Sequence, residues 1–238
     1  AAADGTWSVQ FSPAQIPSGD RQDVALTVTA TDLSGNTRSQ TATFDIDTIA
    51  PATPEVIGTN DVAGGMRGLS TTATDDIYSF FRVDQTGQAT RLSATESYDA
   101  VNREDVFRFS TVPDGSYLVI NTADAAGNTA NTLFIKNTAT GVTVDLTREG
   151  LAAFDLSAID LTRAPDARLT LSESQILSLT GPDKTLMVKG EVTHHVTLDG
   201  VTSVRNDVTV DGKVYDIYTL GSSGATVMLE DDLARTVT

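Results

Sequence analysis

The sequence predicts an all-β protein, and three observations carry that reading. Short segments alternate apolar and polar residues at the two-residue period of a strand. Turn signals built from Asp, Gly, Asn and Pro recur at short spacing, and one strand–turn–strand pattern occurs twice. Trp7-Ser8-Val9-Gln10-Phe11 and Val24-Ala25-Leu26-Thr27-Val28-Thr29-Ala30 alternate, and the turn Asp32-Leu33-Ser34-Gly35-Asn36 leads into a third strand over Thr41 to Asp47. Enrichment in Thr and Val suits the pleated, half-buried surface of a sandwich. Three strands do not close one. Residues 1–48 therefore read as the C-terminal strands of a partial domain, whose other strands lie upstream in a longer polypeptide or come from a partner chain.

The repeat defines the next domain. Phe107-Arg108-Phe109-Ser110, then Val112-Pro113-Asp114-Gly115, then Tyr117 to Asp124-Ala125-Ala126-Gly127-Asn128-Thr129, follow the order of Val9 to Ser12 and of the stretch ending in Asp32 to Thr37. With further strands expected at 54–58, 66–73, 77–84 and 90–98, residues 49–138 form a complete domain of about seven strands, the number an immunoglobulin-like sandwich requires. The fold class is thus immunoglobulin-like β-sandwich domains in tandem. Residues 139–238 depart from this pattern. Ser172 and Gln175 have the spacing of a capping box that opens a short helix, ended near Gly181-Pro182. Strands follow at 185–189, 192–198, 206–210, 213–219 and 225–229, with a tight hairpin at Asp211-Gly212. This is a β-rich C-terminal module with one short helix.

Composition narrows the function. The 238 residues are 39% apolar, enough for packed cores, and carry 16 Lys and Arg against 32 Asp and Glu, a formal net charge of −16. That balance argues against nucleic acid and against anionic membrane surfaces, both of which need Lys and Arg. It suits a surface that binds divalent metal; the plainer alternative is that acidity keeps the protein soluble. With no cysteine, disulfide frameworks and thiolate metal sites are excluded. No segment approaches the ~20 apolar residues of a membrane-spanning helix. A basic-then-apolar leader does not open the sequence, and the start at Ala1-Ala2-Ala3-Asp4-Gly5 reads as a piece of something longer.

The segment Thr43-Phe44-Asp45-Ile46-Asp47-Thr48-Ile49-Ala50-Pro51 holds the first candidate site. It starts as an alternating strand and ends in a proline that cannot continue a sheet, so Phe44 and Ile46 share one face and Asp45 and Asp47 the other. Two carboxylates on one face repel, and a hard cation with oxygen ligands, calcium foremost, relieves that repulsion.

Gly5 to Val9, Thr29 to Asn36 and Phe44 to Pro51 together show the pattern G-T-W-S-V…T-A-T-D-x-x-G-N…F-x-x-D-T-x-A-P. This resembles the bacterial immunoglobulin-like repeats of large type I-secreted, RTX-type adhesins and biofilm-associated surface proteins. The resemblance covers roughly residues 1–138. It implies an extracellular, calcium-stiffened array that projects a ligand-binding tip and mediates adhesion or biofilm formation. Residues 139–238 are more weakly similar to modules found near the ends of such arrays, through L-T-L-S…L-x-V-x-G…Y-D-x-Y-T.

In an immunoglobulin-like domain spanning 49–138, the turn Asp124 to Asn128 and the loop holding Asp75 and Asp76 lie at the pole where the linker carrying Asp45 and Asp47 arrives. The expected calcium ligands are therefore Asp45, Asp47, Asp75, Asp76, Asp124 and Asn128, with Asp32 and Asn36 marking an equivalent, incomplete site one joint upstream. Beside this stands a second reading, in which Asp and Asn of D-x-x-G-N turns simply cap their own backbone. At the following joint Asn137-Thr138 stands where Asp47-Thr48 stood and Ile135 replaces Asp45, which predicts a weaker or metal-free joint.

Catalysis finds no support in the motifs. His194 and His195, adjacent in an expected strand, face opposite ways and read as surface residues. There is no G-x-S-x-G elbow, phosphate loop, dinucleotide-binding loop, EF-hand run or glycine-aspartate nonapeptide repeat. Trp7 and Phe107 to Phe109 read as core. The favoured function is a calcium-stabilised extender or scaffold whose partners are the neighbouring domains of one long chain, a host or neighbour-cell ligand, or another copy. The alternatives are a carbohydrate- or peptide-binding module in 139–238, with Tyr215, Tyr218 and Asp216 as an exposed patch, and strand-complemented assembly through residues 1–48.

Overall fold

The computed structural model describes residues 8–210 and 212–238, so the expectation placed on Trp7 and half of the Asp211-Gly212 turn lie outside the described residues. The protein is mostly strand, and its chain forms two compact units: Ala1–Ala50 with Ala126–Asn128, and Pro51–Ala125 with Thr129–Thr238.

In the first unit, β1 (Asp20–Thr31) and β2 (Thr37–Asp47) pair as an antiparallel ribbon. Gly35, at φ +84°, closes the turn in a conformation that favours glycine, and Asp32 exchanges backbone hydrogen bonds with Gly35 and Asn36. The ribbon splits its residues by face. Val24, Leu26, Val28 and Ala30 pair across to Phe44, Ala42, Gln40 and Arg38, whereas Thr27 and Thr29 pair with Thr41 and Ser39. Phe44, expected in a core, is 44% exposed, because no second sheet covers its face among the described residues. Residues 8–12 are irregular rather than a strand, and Val9 and Phe11 are exposed.

In the second unit, β3 (Val56–Val62), β4 (Gly65–Thr72), β5 (Ile77–Val83), β6 (Ala89–Leu92), β7 (Ala94–Asp99), β8 (Glu104–Pro113), β9 (Tyr117–Ala123) and β10 (Thr129–Lys136) build a sandwich. One sheet runs β3-β4-β8-β7 and the other β10-β9-β5-β6. That is the strand order of an immunoglobulin-like domain. Its core holds Met66, Leu69, Phe80, Phe107, Phe109, Leu118, Ile120 and Phe134, with Phe80 against Phe107 and Phe109 at ring-centroid distances of 5.0 and 5.2 Å.

The expected boundary at 138–139 does not separate two compact units. β10 pairs in parallel with β11 (Leu156–Arg163), and the chain then alternates between two sheets through β12 (Arg168–Ser172), β13 (Thr185–Lys189), β14 (His195–Asp199), β15 (Val201–Val210), β16 (Lys213–Leu220), β17 (Ala225–Glu230) and β18 (Ala234–Val237). β11, β13 and β17 stack in parallel in one sheet, and β12, β14 and β18 in the other, giving a short parallel solenoid. The antiparallel hairpin β15–β16 is inserted in the last turn and extends the first sheet beyond β17, so one nine-stranded sheet runs from the hairpin to β6. Aliphatic ladders fill the interior: Leu186 on Val227, Val188 on Leu229, Leu169 on Val196, Leu171 on Leu198.

A helix, α1 (Glu173–Leu179), links β12 to β13 and buries Ile176 and Leu179. Its start is as the sequence predicts. Ser172 N–H donates to Gln175 Oε1 (3.0 Å), and Gln175 N–H donates to Ser172 Oγ (3.4 Å), a complete capping box.

The sandwich and the solenoid share one core because the outward face of β9–β10 is apolar. Tyr117, Val119, Leu133 and Ile135 join Leu156, Ile159, Leu161, Leu186 and Val188 in a single cluster. Cations tie β10 and the first two solenoid strands to the β3–β4 side of the sandwich. Lys136 Nζ donates to the Gly65 carbonyl (3.3 Å) and pairs with Asp61 (3.3 Å); Arg163 donates to the Ile57 carbonyl; Lys189 donates to the carbonyls of Thr53 (3.2 Å) and Pro54 (3.1 Å). These ends of successive parallel strands hold the β3–β4 side of the sandwich. Tyr117 adds a clasp: its hydroxyl accepts from Asp145 N–H (2.6 Å), and the Arg148 guanidinium lies 3.6 Å from its ring centroid. The expected second joint at Asn137-Thr138 is therefore a shared sheet, and Thr138 Oγ1 closes it by donating to Asp114 (2.6 Å).

Candidate metal-ligating carboxylates

The expected calcium ligands are divided between the two units. Asp32, Asn36, Asp45, Asp47 and Asn128 belong to the first, and Asp75, Asp76 and Asp124 to the second. Asp32 and Asn36 adopt the turn-capping arrangement. Asp32 Oδ1 accepts from Ser34 N–H (2.8 Å) and Asn36 N–H (2.9 Å), and Oδ2 accepts from Asn36 Nδ2 (2.8 Å). These bonds, the Asn36 side chain first, hold the Asp32 carboxyl below its ordinary range.

At the end of β2 each carboxylate has one oxygen committed. Asp45 Oδ1 accepts from Asp23 N–H (2.9 Å), at a bulge where Asp23 takes φ +55°, and Asp47 Oδ1 accepts from Ile49 N–H (2.9 Å). Asn128, which clusters with this unit, donates from Nδ2 to the Asp47 carbonyl (3.3 Å). The alternation expected from sequence holds, since the register places Asp45 and Asp47 on the face opposite Phe44 and Ile46. In the second unit Asp75 is exposed and Asp76 half-buried, and Asp76 N–H donates to Thr74 Oγ1 (3.2 Å). Asp124 is half-buried at the start of the β9–β10 turn.

Another acidic group lies outside the expected set. Asp207, Asp216 and Asp231 bring oxygens within 4.8 Å of one another. Asp216 is buried, pairs with Arg235 and accepts from Asp207 N–H (3.1 Å) at a second bulge, where Asp207 takes φ +55°. Arg235 also donates to the carbonyls of Asp231 and Leu233 (3.3 Å each), so the guanidinium already supplies the positive charge that the buried carboxylate needs. The signal was in the sequence. Val210 pairs with Lys213, and counting back along both strands from an expected hairpin at Asp211-Gly212 puts 207 opposite 216.

Two other expectations are corrected here. Tyr215 and Tyr218 are 3% and 4% exposed, Tyr218 within the solenoid's core cluster, so they form no surface patch. Burial raises the Tyr218 hydroxyl pKa above its ordinary value. His194 is buried rather than on the surface, in the turn that precedes β14. Its Nδ1 accepts from Glu191 N–H (2.7 Å), which leaves Nε2 to donate to the Ala164 carbonyl (3.1 Å). Its role is to satisfy two loop backbones.

Compared with known proteins, the chain matches no family model, no curated protein and no solved structure. Among the described residues no helix is long and apolar enough to cross a membrane.

Proposed function

We propose that the chain is a calcium-stabilised extender or scaffold segment of a bacterial cell-surface or secreted adhesin, acting in adhesion or biofilm formation. The observation that carries this reading is the repeated hairpin ending in paired carboxylates. The D-x-x-G-N turn closes β1–β2 and β9–β10 with matching strand register, and only the first copy ends in acids, Asp45 and Asp47, each with one oxygen committed to a backbone N–H. Calcium binds such oxygens in sets of six to eight, drawn from carboxylates, carbonyls and water. Binding it would add stability through ligand linkage and stiffen the chain after β2.

The test is calorimetry in calcium and in chelator, on the native chain and on Asp45→Asn with Asp47→Asn. Melting should rise with calcium in the native chain and lose that response in the double variant. Asp207→Asn with Asp231→Asn serves as control and should keep it. A melting curve indifferent to chelation would sink the reading.

A second reading, assembly by strand complementation, is favoured by the apolar face of the β1–β2 ribbon, which no second sheet covers among the described residues. The third, a glycan- or peptide-binding patch at Tyr215 and Tyr218, loses its motivation with their burial.

A further inference from the structure

The chain between β2 and β3, residues 48–55, is tied at both ends. At the ribbon end Thr48 N–H donates to the Gly19 carbonyl (3.3 Å) and Ile49 N–H to Asp47 Oδ1 (2.9 Å). At the other end its partner is the solenoid, 134 to 136 residues later in the sequence. Lys189 Nζ of β13 donates to the carbonyls of Thr53 (3.2 Å) and Pro54 (3.1 Å), and Thr53 Oγ1 donates to Met187 Sδ of the same strand (4.0 Å). Lys189 is 7% exposed, and burial lowers its pKa below the ordinary lysine value. A buried ammonium needs counter-charge and acceptors. Asp160, its cross-strand neighbour, supplies the charge together with Glu230 and Glu55, and the two linker carbonyls accept its hydrogens. Farther out, Lys213 of β16 faces Glu55 at 3.9 Å with both side chains exposed, an ion pair of little worth.

We propose that residues 53–55 are a strap clamped to the solenoid by Lys189, which shortens the flexible part of the joint to Ala50, Pro51 and Ala52. Without the clamp the free span would run on to Val56, whose side chain is buried in the sandwich core, and would hold six residues in place of three. The reach of a flexible segment grows as the square root of its length, so it would rise about 1.4-fold. The sequence stiffens what remains. Pro51 and Pro54 fix their own φ, and Ala50 and Thr53, each preceding a proline, are confined to extended conformations. A lysine in this place outdoes the outer ion pair, because bonds from a buried donor escape the screening by salt that weakens Lys213 and Glu55. The clamp rests on the extender reading for its purpose, since a spacer works through a short joint. It is separate from calcium, which concerns the carboxylates on the ribbon side.

Backbone amide relaxation of the isotopically labelled full chain reads the strap directly, once in calcium and once in chelator. In the native chain the Thr53 and Glu55 amides should have order parameters of about 0.85, those of rigid backbone, in both conditions. Lys189→Met should lower them below about 0.6, the flexible range, while unchanged β9–β10 amides establish that the variant is folded. Glu55→Gln removes only the outer ion pair and should leave Thr53 as rigid as before. Should the buried variant not fold, the native chain still decides, because the Lys189 ammonium should show hydrogen-bond scalar couplings to the Thr53 and Pro54 carbonyl carbons. Any of four results would overturn the proposal: mobile Thr53 and Glu55 amides in the native chain, rigid ones in a folded Lys189→Met, a loss in Glu55→Gln as large as in Lys189→Met, or an ammonium without those couplings. Melting indifferent to calcium beside a rigid strap would defeat the calcium joint alone. A mobile strap beside melting that rises with calcium would defeat the clamp alone.

Discussion

The hairpins β1–β2 and β9–β10 differ most on the face turned away from the sandwich core, and that face decides whether a repeat stands alone or fuses to the next stretch of chain. In the ribbon it is a threonine ladder. Thr27 and Thr41 hydrogen-bond across the strands at 2.8 Å, as do Thr29 and Ser39. In the sandwich, Thr27 and Thr41 become Val119 and Leu133, both fully buried, while the second pair becomes Asn121 and Asn131, still hydrogen-bonded at 3.0 Å. Even that polar pair has been turned to the new purpose, since Asn131 Nδ2 also donates to the Asp155 carbonyl (3.2 Å), at the entry to β11. One hairpin design thus gives a solvated surface or a solenoid interface, according to two cross-strand pairs.

The comparison breaks most severely if the ribbon's threonines are placed in the sandwich. Val119→Thr with Leu133→Thr puts two hydroxyls and a cavity in the shared core. We expect a loss of about 3–6 kcal/mol, from a large-to-small change at Leu133 and unpaired buried hydroxyls at both positions. Urea denaturation followed by circular dichroism measures it. A loss below about 1 kcal/mol would mean that the solenoid does not depend on this face.

How much of this could be read in the sequence depends on the range of the interaction. The sandwich strands were legible because alternation and turn chemistry are local, and so was the α1 cap, where Ser172 and Gln175 are three residues apart. The solenoid was not. Its strands are short, and Leu169-Thr170-Leu171, Val196-Thr197-Leu198 and Arg235-Thr236-Val237 acquire meaning only when stacked. Parallel pairing leaves no hairpin signal between the partners. The core shared across residues 138–139 was hidden for the same reason, since Val119 and Leu133 read as strand core without revealing which core. Asp45 and Asp47 were placed on the correct face, whereas Arg235 opposite Asp216 needed the third dimension.

A smaller effect separates the units by pH. Turn hydrogen bonds lower the carboxyl pKa of Asp32 in the ribbon and of Asp84, Asp99, Asp145 and Glu173 in the second unit. For Glu173 the leading cause is Ser223 N–H (2.6 Å), with Ser222 N–H (2.8 Å) beside it. A carboxyl with a depressed folded pKa contributes stability that is complete above its unfolded value and is lost as pH falls through the folded one. Stability of the second unit should therefore decline as pH drops below about 4, near the ordinary carboxyl range. Glu173→Gln cannot titrate, so its acid limb should be shallower than that of the native chain. Superimposable stability–pH profiles would show that this turn contributes nothing to acid sensitivity.

The converse graft should change stability least and tests the comparison from the other side. Thr27→Val with Thr41→Val replaces an exposed hydroxyl pair with β-branched side chains of nearly the same shape, so folding free energy should move by no more than about 0.5 kcal/mol. The surface, however, would change in kind. The opposite face already carries Leu26, Val28 and Phe44, so the ribbon would become apolar on both sides, as β9–β10 is, without a solenoid to cover it. An uncovered two-sided apolar ribbon with free edges is a template for association. Sedimentation should therefore show self-association in the double variant at concentrations where the native chain does not associate. A variant that stays as dispersed as the native chain would mean that the threonine ladder is incidental, and that the solenoid is held to its sandwich through the Arg163 and Lys189 contacts instead.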